Sequence, residues 1–541
     1  MIRALLLVAV LASLPAVARP PRLTLLITVD ALGSDVLLRN RSRLQGGLGQ
    51  LLGSGAFFPY ARYGFAECRT APGHATLSTG ANPWRHGVVD NRWVDRATGR
   101  PVNVFVDAAH PVLEVPLTPG QDASPANLMV ETLADRLRVA TQERGKAVAV
   151  SLKSRAAIAL AGRLGQAWWF DDTVGKFVTG TWYTKEFPAW VKELNARKVP
   201  DSYFGKKWEL ARPRAEYVGE DERSFEADAY GLGRTFPHPL DGGLPSPGPV
   251  FYKAFGVSPH SHDFLVQAAR AAIAGEGLGK DEVPDLLAVS VSGTDLVFHE
   301  FGPYSWEMQD SLVRLDKALG ELISAAEKAA GGRANLVIAL TADHGGAAAP
   351  ELWAAAGLPA QRVNPAALAK ALTEELRKQF GGDVTASLEE LDVYLTGKTL
   401  EGGKVDGAAV RRAAAAWLAK HPAVVAAAAR DDLFTAPDVA GHLAPLRKGY
   451  FPERSGDVLF MVKPFHLLYT DTEGTSHGTP YAYDSQVPVV FAGKGIKPGV
   501  YLEELDPVDV APTLAALMEM GMPAAAEGKP RAEVLSAPPR P

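Results

Sequence analysis

Apolar and β-branched residues run without interruption from Leu23 to Val29 and stop on Asp30. A short run without alternation is the pattern of a strand buried on both faces, here with a carboxylate at its carboxyl end. The form recurs at Ala147 to Leu152, leading to Lys153, at Leu286 to Val291, leading to Asp295, and at Leu336 to Leu340, leading to Asp343 and His344. Between these runs, Asn127 to Thr141 and Tyr304 to Ala329 carry apolar residues at helical spacing. Strands alternating with helices predict an α/β fold whose central sheet is covered by helices on both faces. Ligands of such sheets bind outside the carboxyl ends of the strands, which is where these polar residues fall.

The ends and two internal stretches break this rhythm. Met1 to Ala18 has a charged start at Arg3, an apolar run from Leu5 to Leu14 and a small-residue end at Ala16 to Ala18, the form of a signal peptide. The run is shorter than the roughly 20 residues of a membrane-spanning helix. An exported, periplasmic protein comprising residues 19–541, without a membrane contact in its mature form, is therefore expected. Lys176 to Lys280 is rich in Pro, Gly and aromatic residues, and Glu351 to Tyr450 includes alanine-rich stretches, Val405 to Lys420 and Ala423 to Arg430, that predict helices. Both regions read as insertions at the rim of the active site in a single catalytic domain. The Pro-rich end, Ser536 to Pro541, reads as a disordered tail.

A formal net charge of −5 gives no basic surface for nucleic acid and points to a small-molecule partner; nothing in the pattern specifies an oligomeric state. Cys68 is the single cysteine, so no internal disulfide is expected and stability must come from core packing and metals. The chemistry then turns on which of the 12 histidines sit beside carboxylates at strand ends.

Asp295 and His299 are four residues apart and, on a helix, face the same way and can share one cation. Asp343 and His344 adjoin where a strand runs into a glycine turn, and His477 lies in a turn ahead of the apolar run Val487 to Phe491. Taken singly, these are equally a surface pair, a strand-end cap and a loop histidine. Together, Asp30, Asp295, His299, Asp343, His344 and His477 offer only oxygen and imidazole donors, the set that suits zinc in a chain lacking thiolate pairs. From Cys68 to Gly80 a loop containing Pro72 and Gly73 passes into a small-residue helix, a junction where backbone N–H groups can face an anion. Lys153 and Arg155, two apart on an extended chain, project to one side and can both reach one phosphate; a solvated strand end is the ordinary alternative.

In order along the chain, Asp30, Thr70-x-Pro72-x-His74 with Thr79 and Gly80, His86-Gly87, Asn91, Asp295 with His299, Asp343-His344 and His477 resemble the phosphodiesterase and threonine-nucleophile phosphatase branch of the alkaline phosphatase superfamily. The resemblance implies an alkaline phosphatase-like central sheet and two Zn2+ per chain, one held by Asp295, His299 and His477 and the other by Asp30, Thr70, Asp343 and His344. It further implies that Thr70 is the nucleophile, transiently phosphorylated, and that the Asn91 amide donates to a phosphoryl oxygen. Lys153-x-Arg155, followed by Trp168 to Asp172, is similar to the PafA-type periplasmic alkaline phosphatases. That similarity favours phosphate monoesters, whose additional negative oxygen a lysine and a bidentate arginine neutralise.

The expected activity is thus zinc-dependent hydrolysis of small-molecule phosphate monoesters. A phosphodiesterase or nucleotide pyrophosphatase on the same site is the nearest alternative, and a non-catalytic periplasmic zinc- or phosphate-binding protein a more distant one, against which Thr70, Lys153 and Arg155 argue. A sulfatase needs Cys or Ser in a C/S-x-P-x-R frame, which the residues after Cys68 do not provide. His74 and His86 read as supports of the nucleophile loop, and His260 and His262 as surface or core residues.

Overall fold

The computed structural model describes residues 19–116, 123–403 and 405–536; the expected signal peptide and all but the first residue of the expected tail lie outside them. The strands that matter here are β1 (Leu23–Val29), β2 (Ala56–Arg62), β3 (Ala147–Ser151), β4 (Gln166–Asp171), β5 (Lys176–Val178), β6 (Asp285–Val291), β7 (Leu336–Thr341), β8 (Thr385–Glu389), β9 (Asp392–Thr396), β10 (Val424–Ala429), β11 (Val458–Val462), β12 (Gln486–Gly493) and β13 (Gly499–Val500). Nine of them form one sheet in the order β13-β2-β12-β7-β1-β6-β3-β4-β5. Its centre, β7-β1-β6-β3-β4, is parallel. On one side β12 runs antiparallel to both β7 and β2, and at the other edge β5 is antiparallel to β4.

Every residue of β1, β6 and β7 is buried, which requires cover on both faces and explains why these strands read as continuous apolar runs. The principal helices are α1 (Thr70–Thr79), α2 (Ser154–Ala161), α3 (His260–Glu276), α4 (Gly293–Phe301), α5 (Trp306–Ala330), α6 (Pro365–Phe380) and α7 (Gly407–Leu418). Helices α3 and α5 pack together beside the central strands, and α1 and α2 form a second packed pair. The stretch 176–280 thus ends in a helix that covers the sheet. His262 on α3 is buried and bonded to Ser311 Oγ at 2.8 Å, while His260 stacks on Tyr203.

Two expected helices come out differently. Of Asn127 to Thr141 only Leu133–Ala140 is helical, because Thr132 and Asp135 form a capping box that starts the helix there. The stretch Ala423 to Arg430 is the strand β10, antiparallel to β11. Alanine favours helix locally, but here a vacant sheet edge and a covering helix supply backbone partners and burial that outweigh propensity. Within 351–450, joined by β11, the chain builds a small lobe: a second sheet, β8-β9-β11-β10, with α6 and α7 packed on it around Leu372, Leu376, Val393, Val410, Leu418 and Phe460.

Candidate active site

The parallel strands β1, β3, β6 and β7 all end at one edge of the sheet. Because β12 is antiparallel, its amino end reaches that same edge and carries the loop of His477 there. Strand β2 is reversed twice and runs with the centre, so its carboxyl end leads through the loop 63–69 to α1. Residues from Asp30 to His477 therefore meet through strand direction alone.

Two groups of donors form. Asp295 and His299 lie on α4, as their spacing requires, with Asp295 Oδ1 3.4 Å from His299 Nε2 and 3.5 Å from His477 Nε2. In the second group His344 Nε2 is 3.3 Å from Asp30 Oδ1 and 3.4 Å from Asp343 Oδ2. Within each group the donor atoms lie within 4.8 Å of one another. Each of the three imidazoles directs its Nδ1 at a backbone carbonyl 2.8 Å away: Thr475 for His299, Cys68 for His477 and Gly345 for His344. Donation from Nδ1–H leaves Nε2 as the free donor atom facing the centre, the outer-shell arrangement that metal-binding histidines use.

Asp30 Oδ1, Asp295 Oδ1, Asp343 Oδ2 and His344 Nε2 are buried and form no hydrogen bond. Buried polar atoms are normally paired. Orphaned oxygen and imidazole atoms in two compact groups fit a pair of divalent cations of the zinc class. The surplus of negative charge is felt by His344: burial disfavours its charged form, yet the Asp343 and Asp30 carboxylates push it up to about 9, so a cation binding there must displace a proton. Asp30 is raised, first by burial and then by the charges of Asp295 and Asp343.

Thr70 is the first residue of α1 and is buried. Lys153 Nζ lies 3.4 Å from Thr70 Oγ1 and donates to Asp30 Oδ2 at 2.7 Å and to Asp295 Oδ2, so its ammonium bridges the two donor groups. Burial opposes that charge, but Asp295 and Asp30 hold Lys153 above its ordinary value. The extended Lys153–Arg155 segment expected from spacing is absent: β3 stops at Ser151, Lys153 caps α2, and Arg155 sits in the helix's first turn. The two cations are brought near one another by this strand-to-helix bend, not by strand alternation. Arg155 makes no ion pair among the described residues, and its buried Nε has no partner. Asn91 Oδ1 accepts the Ala71 N–H at 2.9 Å, which ties the side chain to the first turn of α1.

His74 bridges Thr70 O and Ser290 Oγ, both at 2.8 Å, with Asp343 Oδ2 3.1 Å away. His86 bonds Thr76 Oγ1 at 3.1 Å and accepts the Val88 N–H; burial pushes it down to about 3, so it is neutral. Both occupy supporting positions.

Other participants escape a reading of motifs. Asp484 Oδ2 accepts the N–H groups of Gly478 (3.2 Å) and Thr479 (2.9 Å) and the Thr479 hydroxyl (2.6 Å), which fixes the loop carrying His477. No spacing rule connects it to that loop. Gly73, expected with Pro72 in a loop ahead of the helix, lies inside α1 instead, where a glycine costs about 1 kcal/mol. A Cβ there would lie 2.3 Å from Asp343 O, so α1 touches the Asp343 backbone only because residue 73 has no side chain.

Known proteins share this sequence pattern and this fold. The sequence signature of the type I phosphodiesterase / nucleotide pyrophosphatase family matches residues 24–480. The alkaline phosphatase PafA of Elizabethkingia meningoseptica is 33% identical over 95% of this chain and 94% of its own length, and the alkaline phosphatase PhoV of Synechococcus elongatus is 31% identical over 95% and 93%. The crystal structure of wild-type PafA superimposes with a TM-score of 0.88 at 32% identity, covering 95% of this chain and 99% of that one. The chain belongs to the type I phosphodiesterase / nucleotide pyrophosphatase family, alongside the alkaline phosphatases of the PafA type.

Proposed function

We propose that this enzyme hydrolyses small-molecule phosphate monoesters to an alcohol and inorganic phosphate through a phosphothreonine intermediate on Thr70, as an exported protein using two zinc ions. The observation that carries the reading is Lys153 Nζ, which donates to Asp30 Oδ2 in one donor group and to Asp295 Oδ2 in the other and lies 3.4 Å from the Thr70 hydroxyl. In this reading Asp295, His299 and His477 hold one zinc and Asp30, Asp343 and His344 the other, with Thr70 adjoining the second. When bound, such a pair supplies Lewis-acid stabilisation of the oxygens that gain charge in an in-line displacement.

The chain's own groups do the rest. Lys153, a neighbouring cation, favours the ionised form of the Thr70 hydroxyl and so makes it a competent nucleophile. Thr70 Oγ1, having lost its proton to solvent, attacks phosphorus as the P–O bond to the alcohol breaks on the opposite side and that oxygen takes up a proton; a water then attacks the phosphothreonine from the vacated direction, losing a proton as the P–O bond to Thr70 breaks and the threonine oxygen regains one. Asn91 Nδ2, Lys153 Nζ and Arg155 neutralise the equatorial oxygens. Arg155 has no carboxylate partner among the described residues, so its charge is available to the second negative oxygen that distinguishes a monoester from a diester. The names of the relatives, alkaline phosphatases, support the same preference.

Thr70→Ala should abolish release of nitrophenol from p-nitrophenyl phosphate while Thr70→Ser retains part of it, and chelation should silence the wild type until zinc is restored. Two displacements give overall retention at a chiral phosphorus; inversion, or an active Thr70→Ala protein, would refute the intermediate.

A further inference from the structure

The nucleophile opens α1, yet the residue in the capping position is Arg69, extended at φ −135° and ψ 166°, whose own side chain makes no capping hydrogen bond. An arginine is the wrong residue there on two counts. It offers no acceptor to the N–H groups of the first turn, where the Ala71 N–H is taken by Asn91 Oδ1 instead, and a positive charge is unfavourable at the positive end of the helix dipole. It is also 8% exposed, so water does little to relieve either problem. Three carboxylates compensate the charge. Arg69 Nε lies 3.1 Å from Glu67 Oε2 and 3.6 Å from Asp90 Oδ1, and Nη2 pairs with Glu390.

Each contact leads to a different part of the site. Asp90 precedes Asn91 and accepts its N–H at 2.5 Å. Glu390 is at the tip of the β8–β9 hairpin, with its backbone in the left-handed region (φ 52°), and the next residue, Leu391, donates its N–H to Glu67 Oε1 at 2.9 Å. The guanidinium lies against Gly478, which follows His477; a Cβ at that glycine would come within 2.5–2.7 Å of Nη2, Cζ and Nε. One planar side chain therefore touches the segments of Thr70, Asn91 and His477, and the small lobe.

We propose that Arg69 is a positioning residue that fixes Thr70 relative to Asn91 and His477, and that the β8–β9 hairpin of the small lobe holds Arg69 in that role through Glu390. The proposal rests on the reading of Thr70 as the nucleophile. The rigid fork of an arginine can meet carboxylates in three directions at once, whereas a lysine presents a point charge that satisfies fewer of them. A displaced nucleophile loses rate without losing substrate affinity, because ground-state binding depends on Arg155, Lys153 and the metals.

The test is steady-state kinetics on p-nitrophenyl phosphate for Arg69→Met, Arg69→Lys and Glu390→Gln, with zinc content and thermal unfolding measured on each. Arg69→Met should lower kcat about 100-fold with KM within about twofold of wild type, Arg69→Lys should rescue only part of that, and Glu390→Gln should lower kcat about tenfold, all with full zinc. A kcat within twofold of wild type in Arg69→Met, or a loss that added zinc reverses, would overturn the proposal. Should Arg69→Met fail to fold, Glu390→Gln decides alone: its glutamate side chain is 32% exposed at a turn, and an unchanged kcat there sinks the role of the hairpin and of the arginine it holds. Thr70→Ala separates the two levels. If it is active the nucleophile reading fails; if it is inactive while Glu390→Gln and Arg69→Lys are fully active, only the positioning role fails.

Discussion

Replacing Lys153 by methionine removes a charge and keeps the volume of the side chain. The ammonium is 2.7 Å from Asp30 Oδ2 and also pairs with Asp295, and the side chains of these two carboxylates are 0% and 1% exposed. At an effective dielectric constant of roughly 20, one contact at 2.7 Å corresponds to an attraction of about 6 kcal/mol, before the desolvation of both ions is subtracted. Removing one partner of a buried pair costs about 3–5 kcal/mol, because the remaining charge is left uncompensated. That cost should appear in full in zinc-free Lys153→Met protein. In zinc-loaded protein the same carboxylates have a cation as partner, and the loss should fall below about 1 kcal/mol. Equilibrium guanidinium unfolding of both proteins in both forms measures the difference, independently of activity. Equal destabilisation with and without zinc, or none in the zinc-free form, would refute the idea that Lys153 and the metals compensate one set of carboxylates.

Arg155→Ala should reduce turnover of p-nitrophenyl phosphate far more than that of bis(p-nitrophenyl) phosphate; equal losses in the two rates would remove the basis for monoester preference. Gly73→Ala must push α1 away from Asp343 O, so zinc affinity measured by chelator competition should fall at least tenfold, and an unchanged affinity would mean that the close approach is not needed. Glu226, outside the site, is pushed up to about 9 from 4.5 by burial and then by the charge of Glu307, with Arg223 opposing. Between those values the folded chain keeps a proton that the unfolded chain releases, so this group's stabilisation is complete below about 4.5 and is lost as pH rises toward 9. Glu226→Gln should therefore raise the unfolding midpoint at pH 9 relative to wild type and change it little at pH 5, as followed by circular dichroism.

The sequence by itself determined the central strands β1, β3, β6 and β7 and the identity of the groups that follow them. Runs such as Leu23 to Val29 are buried on both faces, and that burial demands apolar residues at every position, a pattern legible without any tertiary information. The one-turn spacing of Asp295 and His299 is likewise a local property, and it survives intact on α4. Local signals failed where the deciding partner was distant. The alanines of β10 became a strand because β11 offered an edge, and Arg155 lies in a helix turn because β3 ends two residues before Lys153. Only the tertiary structure decided that β12 runs backwards and so delivers His477 to the same edge as Asp30. Arg69 and Asp484 belong to the same class. Their partners, Glu390 for one and the His477 loop for the other, are set by packing between segments, and a side chain whose role is to hold other segments in place has no spacing of its own to betray it.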